Sequence, residues 1–218
     1  MKTGELFDVN RSIAAGLMKR HEDPVRIIGE IGDFIASVSH MLKSHGFEEI
    51  LPSVWAARGT VISHTASITG PCIIDEGAQV RHCAFIRGVV IVGKGCVVGN
   101  STELKSCILM DASQVPHYNY VGDSIIGYKA HMGAGAITSN VKSDKSDVCI
   151  SVDGERVCTN RRKLGALVGD RVEIGCGSVL CPGTVIGRDS TVYPLTLVRG
   201  TVPAGVIYKH DGTVTVKE

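Results

Sequence analysis

The chain has 218 residues, a formal net charge of +1 and 21% charged residues, so no bulk charge draws it to nucleic acid or an acidic membrane. No run nears the roughly 18 apolar residues of a membrane helix, and Met1-Lys-Thr-Gly-Glu-Leu-Phe-Asp8 lacks the apolar core of a secretory leader. A cytoplasmic protein is therefore expected, with its eight Cys as reduced thiols, and no Cys-x-x-Cys pair suggests zinc or redox chemistry.

In chain order, residues 8–22 and 24–46 read as helices. Asp23 before Pro24 is an N-cap followed by a first-turn proline. Val25, Ile28, Ile31, Ile35, Val38 and Leu42 then recur at helical spacing, and Gly46 is a C-terminal stop. This segment, 1–50, is expected to cap the open first rung of a stacked repeat that starts near residue 51, or to dock a neighbouring subunit.

From Ile62 the aliphatic residues return every six positions: Ile68, Ile74, Val80, Ile86, Val92, Val98, Leu104 and Met110. The register resumes at Val168, Ile174, Leu180, Ile186, Val192 and Val198. A helix would repeat near 3.6 and a half-buried strand at two. A six-residue self-similarity means a parallel β-helix, each hexad one short strand plus a turn. With only 5% aromatics and 26 Gly, the chain suits thin stacked rungs better than a thick globular core. The β-helix domain spans 51–218, its rungs running over about 54–140 and 165–203.

The hexad phase slips near Pro116, where the next anchors are Ile126 and Met132, and such interruptions are often functional. Residues 141–165 break the repeat, and Val148–Val152, then Asp153-Gly154, then Glu155–Thr159 is a hairpin signal. Its register sets Cys149 opposite Cys158, read as two packed thiols, and the hairpin is expected to project over a site or a neighbour. A short strand tail with an Asp211-Gly212 turn ends the chain.

Three hexads make one coil, so residues eighteen apart stack. Arg87 and Lys105 are so spaced, each directly after an anchor, and two stacked cations are best accommodated by an anion such as phosphate. His117, beside the phase slip, suits a general base because imidazole titrates near neutrality. Glu103, Tyr120 and Asn140 extend the polar cluster.

The run Glu103-Leu-Lys105, His117-Tyr-Asn-Tyr120-Val-Gly-Asp123, then Gly133-Ala-Gly135-Ala-Ile-Thr-Ser-Asn140 resembles the acetyltransferase half of the bifunctional N-acetylglucosamine-1-phosphate uridyltransferase/glucosamine-1-phosphate acetyltransferase family. The spacing runs without gaps from Arg87 to Asn140, and the likeness covers roughly 55–203 but not the N-terminal helices. The resemblance implies an all-β left-handed parallel β-helix, a homotrimer with sites between subunits, and acetyl transfer from acetyl-CoA to an amino-sugar phosphate. Carried over, His117 is the general base, Arg87 and Lys105 hold phosphate, and Tyr120 and Asn140 hold the sugar. Ala134 presents its N–H to the thioester carbonyl, and Cys176 stands near where the family places a Ser close to the coenzyme.

The chain departs from that pattern at His131, where the family has an Asn that touches substrate, and in the loop Ser139-Asn140-Val-Lys-Ser143. The Gly-rich nucleotide-binding half has no counterpart in this sequence. Two other readings share the fold. One is a non-catalytic sugar-phosphate-binding trimer. The other is a γ-carbonic-anhydrase-like metalloenzyme, suggested by His64 and His82, eighteen apart and therefore stacked.

Overall fold

The computed structural model describes residues 2–152 and 154–217. It is a parallel β-solenoid of about eight turns, preceded in the chain by the helices. Three faces form each rung. The first face stacks Gln79–Val80, Val97–Asn100, Gln114–His117, His131–Met132 and Glu173–Ile174 in parallel register. The second carries Tyr120–Gly122, Ile137–Thr138 and Val179–Leu180, and the third Cys72–Ile74, Ile125–Ile126, Ala166–Val168 and Thr184–Ile186. Phe85–Val92 and Glu103–Leu109 bend through a corner and serve both the second and third faces.

The hexad anchors point inward. Ile74, Val80, Ile86, Val92, Val98 and Leu104 share one core with Met132, Val168, Ile174, Leu180, Ile186, Val192 and Val198. Met110 does not continue that file: Leu109 takes the inward place, paired with Val92, and Val121 supplies an anchor the hexad count passes over. The reason is a shortened corner. Two residues, Gly88 and Val89, separate the second and third faces in one rung, whereas Ser106 alone does so in the next. Asp123 stands at the same corner one rung further on, since Gly122 pairs with Lys105 and Ile125 with Ile108. Both corner residues take left-handed φ, 49° at Ser106 and 47° at Asp123. The slip therefore lies at Ser106 and Asp123 rather than at Pro116.

The third face is apolar on both sides. Behind the anchors, Ile73, Ile91, Ile108, Ile125, Leu167 and Val185 point outward into a second core. Helix α3, Pro24–Leu42, packs there through Ile27, Ile28, Ile31, Phe34 and Ile35, and Gly32 lets it approach Val89 closely. Asp23 caps it by accepting the Val25 N–H, and Gly46 ends the following 3₁₀ turn with φ 85°. The helix thus lies along the side of the solenoid, across several rungs. It does not sit over the first rung, whose strand Val54–Ala57 pairs instead with antiparallel Phe47–Leu51.

Residues 8–22, expected as one helix, hold only the short α2, Ala15–Met18, after α1, Thr3–Leu6. Asp8 and Ser12 side chains bond nearby backbone N–H groups and favour turns over a continuous helix. Asp170, fully buried, ties this segment down by accepting the N–H of Asp8 at 2.7 Å and of Tyr128 at 2.9 Å.

The inserted hairpin forms as expected, Val148–Val152 against Glu155–Arg161, with Cys149 opposite Cys158. Asp153, half of the expected turn, lies outside the described residues. The hairpin leans on the solenoid rather than projecting freely: Val148 and Ile150 are buried in the outer core, and Thr201 Oγ1 donates to the Ser151 carbonyl. The tail closes as Val206–Tyr208 against Val214–Val216.

If the outer core holds the helix to the solenoid, Ile108→Ala should lower unfolding free energy by about 3 kcal/mol in a denaturant titration. A change under about 0.5 kcal/mol would mean that this contact contributes little.

Candidate functional site

The corner between the first and second faces carries one column of residues. His82, Asn100, His117, Ala134 and Cys176 occupy it on successive rungs. Each carbonyl accepts an N–H from the rung beyond: Ser101 to His82 at 3.1 Å, Tyr118 to Asn100 at 2.9 Å, Gly135 to His117 at 3.0 Å, Gly177 to Ala134 at 2.8 Å and Leu195 to Cys176 at 2.8 Å. His117, Ala134 and Cys176 are therefore neighbours in space, a rung repeat of about 4.8 Å apart. Their positions in the sequence, 17 and 42 residues apart, conceal this because one coil is short and the next includes the hairpin.

All three are exposed. The His117 imidazole bonds to no described residue, and the Ala134 N–H meets no backbone carbonyl among the described residues. Asn119, 2% exposed, locks the turn bearing His117 to the turn bearing Ala134. Its Oδ1 accepts the His117 N–H at 3.1 Å, and its Nδ2 donates to the carbonyls of Gly133 at 2.8 Å and Ala136 at 2.9 Å.

A second cluster lies at the other edge of the second face. Arg87 and Lys105 pair across adjacent strands, so the predicted stack exists. Each cation, however, already has an acid. Arg87 Nε donates to Glu103 Oε1 at 2.7 Å, and Lys105 Nζ lies 3.0 Å from Asp123 Oδ2. The stack is thus neutralised by the protein and needs no outside anion to hold it. Among the described residues, only Nε of the Arg87 fork is taken, which leaves donors for a ligand. Lys105 and Asp123 are 17% and 7% exposed, so this pair is committed to the fold.

Asn140 completes the cluster: its Nδ2 donates to Asp123 Oδ2 at 2.5 Å and to the Tyr120 hydroxyl at 3.2 Å. The Tyr120 phenol is pushed up by burial and by the nearby Glu103 and Asp123 carboxylates, so it stays a neutral hydroxyl at ordinary pH.

The structure brings together Lys105, Tyr120 and Asn140, with Arg87 stacked above, and separately His117, Ala134 and Cys176. His131 stands outside both groups, on the first face, its Nδ1 3.0 Å from Glu173 Oε2 on the next rung. Asn119 and Asp123 are the site residues to which sequence reasoning assigns no role. Asp123 follows from the register once the short corner at Ser106 is seen. Asn119 had no signal beyond its place beside His117. His64 and His82 share the corner with Asn100 between His82 and His117, and among the described residues no three metal-ligating side chains converge.

Fold and column define a parallel β-helix protein of the hexapeptide-repeat class. Within that class the chain is similar in sequence to proteins named as bifunctional sugar-1-phosphate nucleotidylyltransferase/acetyltransferases, as its motifs implied. A family described as the GMPPB C-terminal domain matches residues 68–164. The bifunctional sugar-1-phosphate nucleotidylyltransferase/acetyltransferase of Sulfurisphaera tokodaii is 38% identical over 112 residues, 51% of this chain and 28% of the relative. A bifunctional protein GlmU of Methanococcus maripaludis is 34% identical over 210 residues, 88% of this chain and 49% of the relative. The chain thus spans half or less of the length of these curated relatives. Among solved structures, a mutant of AntD, an N-acyltransferase from Bacillus cereus in complex with dTDP and coenzyme A, is 20% identical. It overlays with a TM-score of 0.39, covering 78% of this chain and 83% of that one. Among the described residues, no helix is long and apolar enough to cross a membrane.

If Asn119 holds the two turns together, Asn119→Ala leaves buried polar groups unpaired and should lower stability by about 3 kcal/mol in thermal or denaturant unfolding. An unchanged midpoint would remove it from this role.

Proposed function

We propose that the protein is a cytoplasmic, homotrimeric, acetyl-CoA-dependent N-acetyltransferase whose acceptor is an amino-sugar phosphate such as glucosamine-1-phosphate. The observation that carries this reading is the column His117, Ala134, Cys176, three groups with complementary roles on three successive rungs. The relatives' names and the motif spacing support the same chemistry.

In this reading the acceptor amine attacks the carbonyl carbon of the thioester. His117 takes the proton that the nitrogen must lose. The oxygen that becomes negative lies before the Ala134 N–H, which has no backbone partner among the described residues to give up. Such a donor is typically worth about 3 kcal/mol in the transition state. The carbon–sulfur bond then breaks, and His117 returns its proton to the departing thiolate. Cys176, one rung along, flanks the path of the pantetheine arm. Arg87 meets the sugar phosphate with its unused guanidinium donors. Tyr120 and the side-chain Oδ1 of Asn140 read sugar hydroxyls, and Lys105 and Asp123 fix the ground on which they stand. His131 stands on the same rung as Ala134 and contacts substrate from the first-face side.

Incubation with acetyl-CoA and glucosamine-1-phosphate, read by product mass spectrometry, tests the reading. The expected product gains one acetyl group. His117→Ala should cost about 10²–10⁴-fold in rate with little effect on folding. Arg87→Ala should raise KM for the acceptor more than it lowers kcat. It is a better probe than Lys105, whose removal would strand the buried Asp123 carboxylate. Full turnover by His117→Ala would sink the assignment. Coenzyme binding without product would move the search to other amine acceptors, and neither binding nor product would favour a non-catalytic trimer.

A further inference from the structure

The inserted hairpin holds the one close thiol pair among the described residues. Cys149 and Cys158 face each other across antiparallel strands, with Sγ atoms 2.8 Å apart. Cys158 is exposed and Cys149 half-buried. Neither thiol serves the acyl-transfer site described above. Counting from the Val152–Glu155 pair, this position is a non-hydrogen-bonded one, where side chains come nearest. Facing Cys at such a position meet the distance requirements of a disulfide without backbone movement.

The other thiols lack this arrangement. Cys72, Cys96 and Cys107 are buried in the solenoid core. Burial pushes Cys72 and Cys96 up to about 12, and Cys107 higher still, so they are inert thiols at neutral pH. Cys83 lies 3.2 Å from the imidazole of its neighbour His82, but no second sulfur faces it among the described residues. Cys149 is different again. The hydrogen bond from Cys158 and the adjacent Arg156 guanidinium hold its thiol below the ordinary range, while Cys158 is pushed up by the same contact. One thiol is therefore disposed to react and the other to resolve, beside a permanent cation.

We propose that Cys149 and Cys158 form a reversible modification site, a dithiol that small peroxides convert to a cross-strand disulfide and thiol reductants restore. The Cys149 thiolate attacks a peroxide oxygen, the O–O bond breaks, and with hydrogen peroxide one water leaves behind a sulfenic acid on Cys149. The Cys158 sulfur then attacks the Cys149 sulfur, and the hydroxyl leaves with a proton as a second water. Two thiols and one peroxide thus give one disulfide and two waters.

The site has a built-in connection to its surroundings. Cys149 and Arg156 line a cavity of about 620 Å³ between the hairpin and the solenoid, together with Ser139 and Val141 on either side of Asn140. Oxidation takes the Cys149 sulfur out of its contact with Arg156, whose guanidinium lines the same cavity.

The experiment exposes the 218-residue chain to hydrogen peroxide and maps disulfides by mass spectrometry of unreduced peptides. The expected result is one dominant link, Cys149 to Cys158, with loss of both free thiols together and full recovery on adding dithiothreitol. Cys158→Ser should stop at a sulfenic acid on Cys149, captured by a 1,3-dione probe, and Cys149→Ser should abolish the link. Both variants keep the hairpin's shape, which circular dichroism checks. The proposal is overturned if peroxide leaves both thiols free, if it drives them to sulfinic acids without a link, or if Cys83 or Cys176 reacts first.

Discussion

Every rung of this molecule depends on one obligation: a backbone N–H buried in the stack must find a carbonyl on the adjacent rung. The obligation fixes register, and register decides which side chains meet. The column from His82 to Cys176 is its clearest product. Each carbonyl there takes an N–H from the residue one place further along the next rung, at 2.8 to 3.1 Å. Three exposed groups with little else in common are aligned because the main chain beneath them has no alternative pairing. Where a coil loses a residue, the ladder still closes, and the loss is absorbed at a corner.

Those short corners have consequences beyond phase. Ser106 and Asp123 each do alone what Gly88 and Val89 do together, and both take a left-handed backbone. At Asp123 this turns a carboxylate to face Lys105 and Asn140. A slip that interrupts the apolar file thereby creates the polar cluster. It also settles the electrostatics of the cation stack: each positive group has its own acid, so an anion bound there would gain by reaching unused donors rather than by relieving repulsion.

The solenoid was legible in the sequence because its core needs one aliphatic residue per strand, and that demand leaves a six-residue mark. The side occupied by α3 was legible too, though less openly. First- and second-face strands often set a polar residue beside the anchor, as in Glu103-Leu104 and Glu173-Ile174, although Val97-Val98, Val179-Leu180 and Leu197-Val198 are doubled too. Third-face strands set another aliphatic there, as in Ile73-Ile74, Ile91-Val92 and Ile125-Ile126. Doubling is regular on the covered face and occasional on the others, where the outward residue stays at least partly exposed, as Leu197 does at 53%. The amphipathic stripe of α3 shows that the helix is buried on one side but not against what. Residues 8–22 misled because apolar spacing outweighed the turn-forming Asp8, Asn10 and Ser12. For the site, Arg87, Lys105, His117 and Ala134 were readable from spacing and motif. Asn119 and Asp123 were not, since their roles arise from contacts made only when a short coil closes.

The central claim is that the corner column receives the acyl donor, and a footprint on the coenzyme side tests it without any assumption about the acceptor. The measurement is the rate at which iodoacetamide alkylates each exposed cysteine, followed by peptide mass mapping with and without saturating coenzyme A. The column predicts that coenzyme A slows alkylation of Cys176, one rung from Ala134, while Cys83 near the far end of the same corner reacts at its original rate. Equal rates at Cys176 in the two conditions, under concentrations where calorimetry shows the coenzyme bound, would place the donor elsewhere and contradict the account.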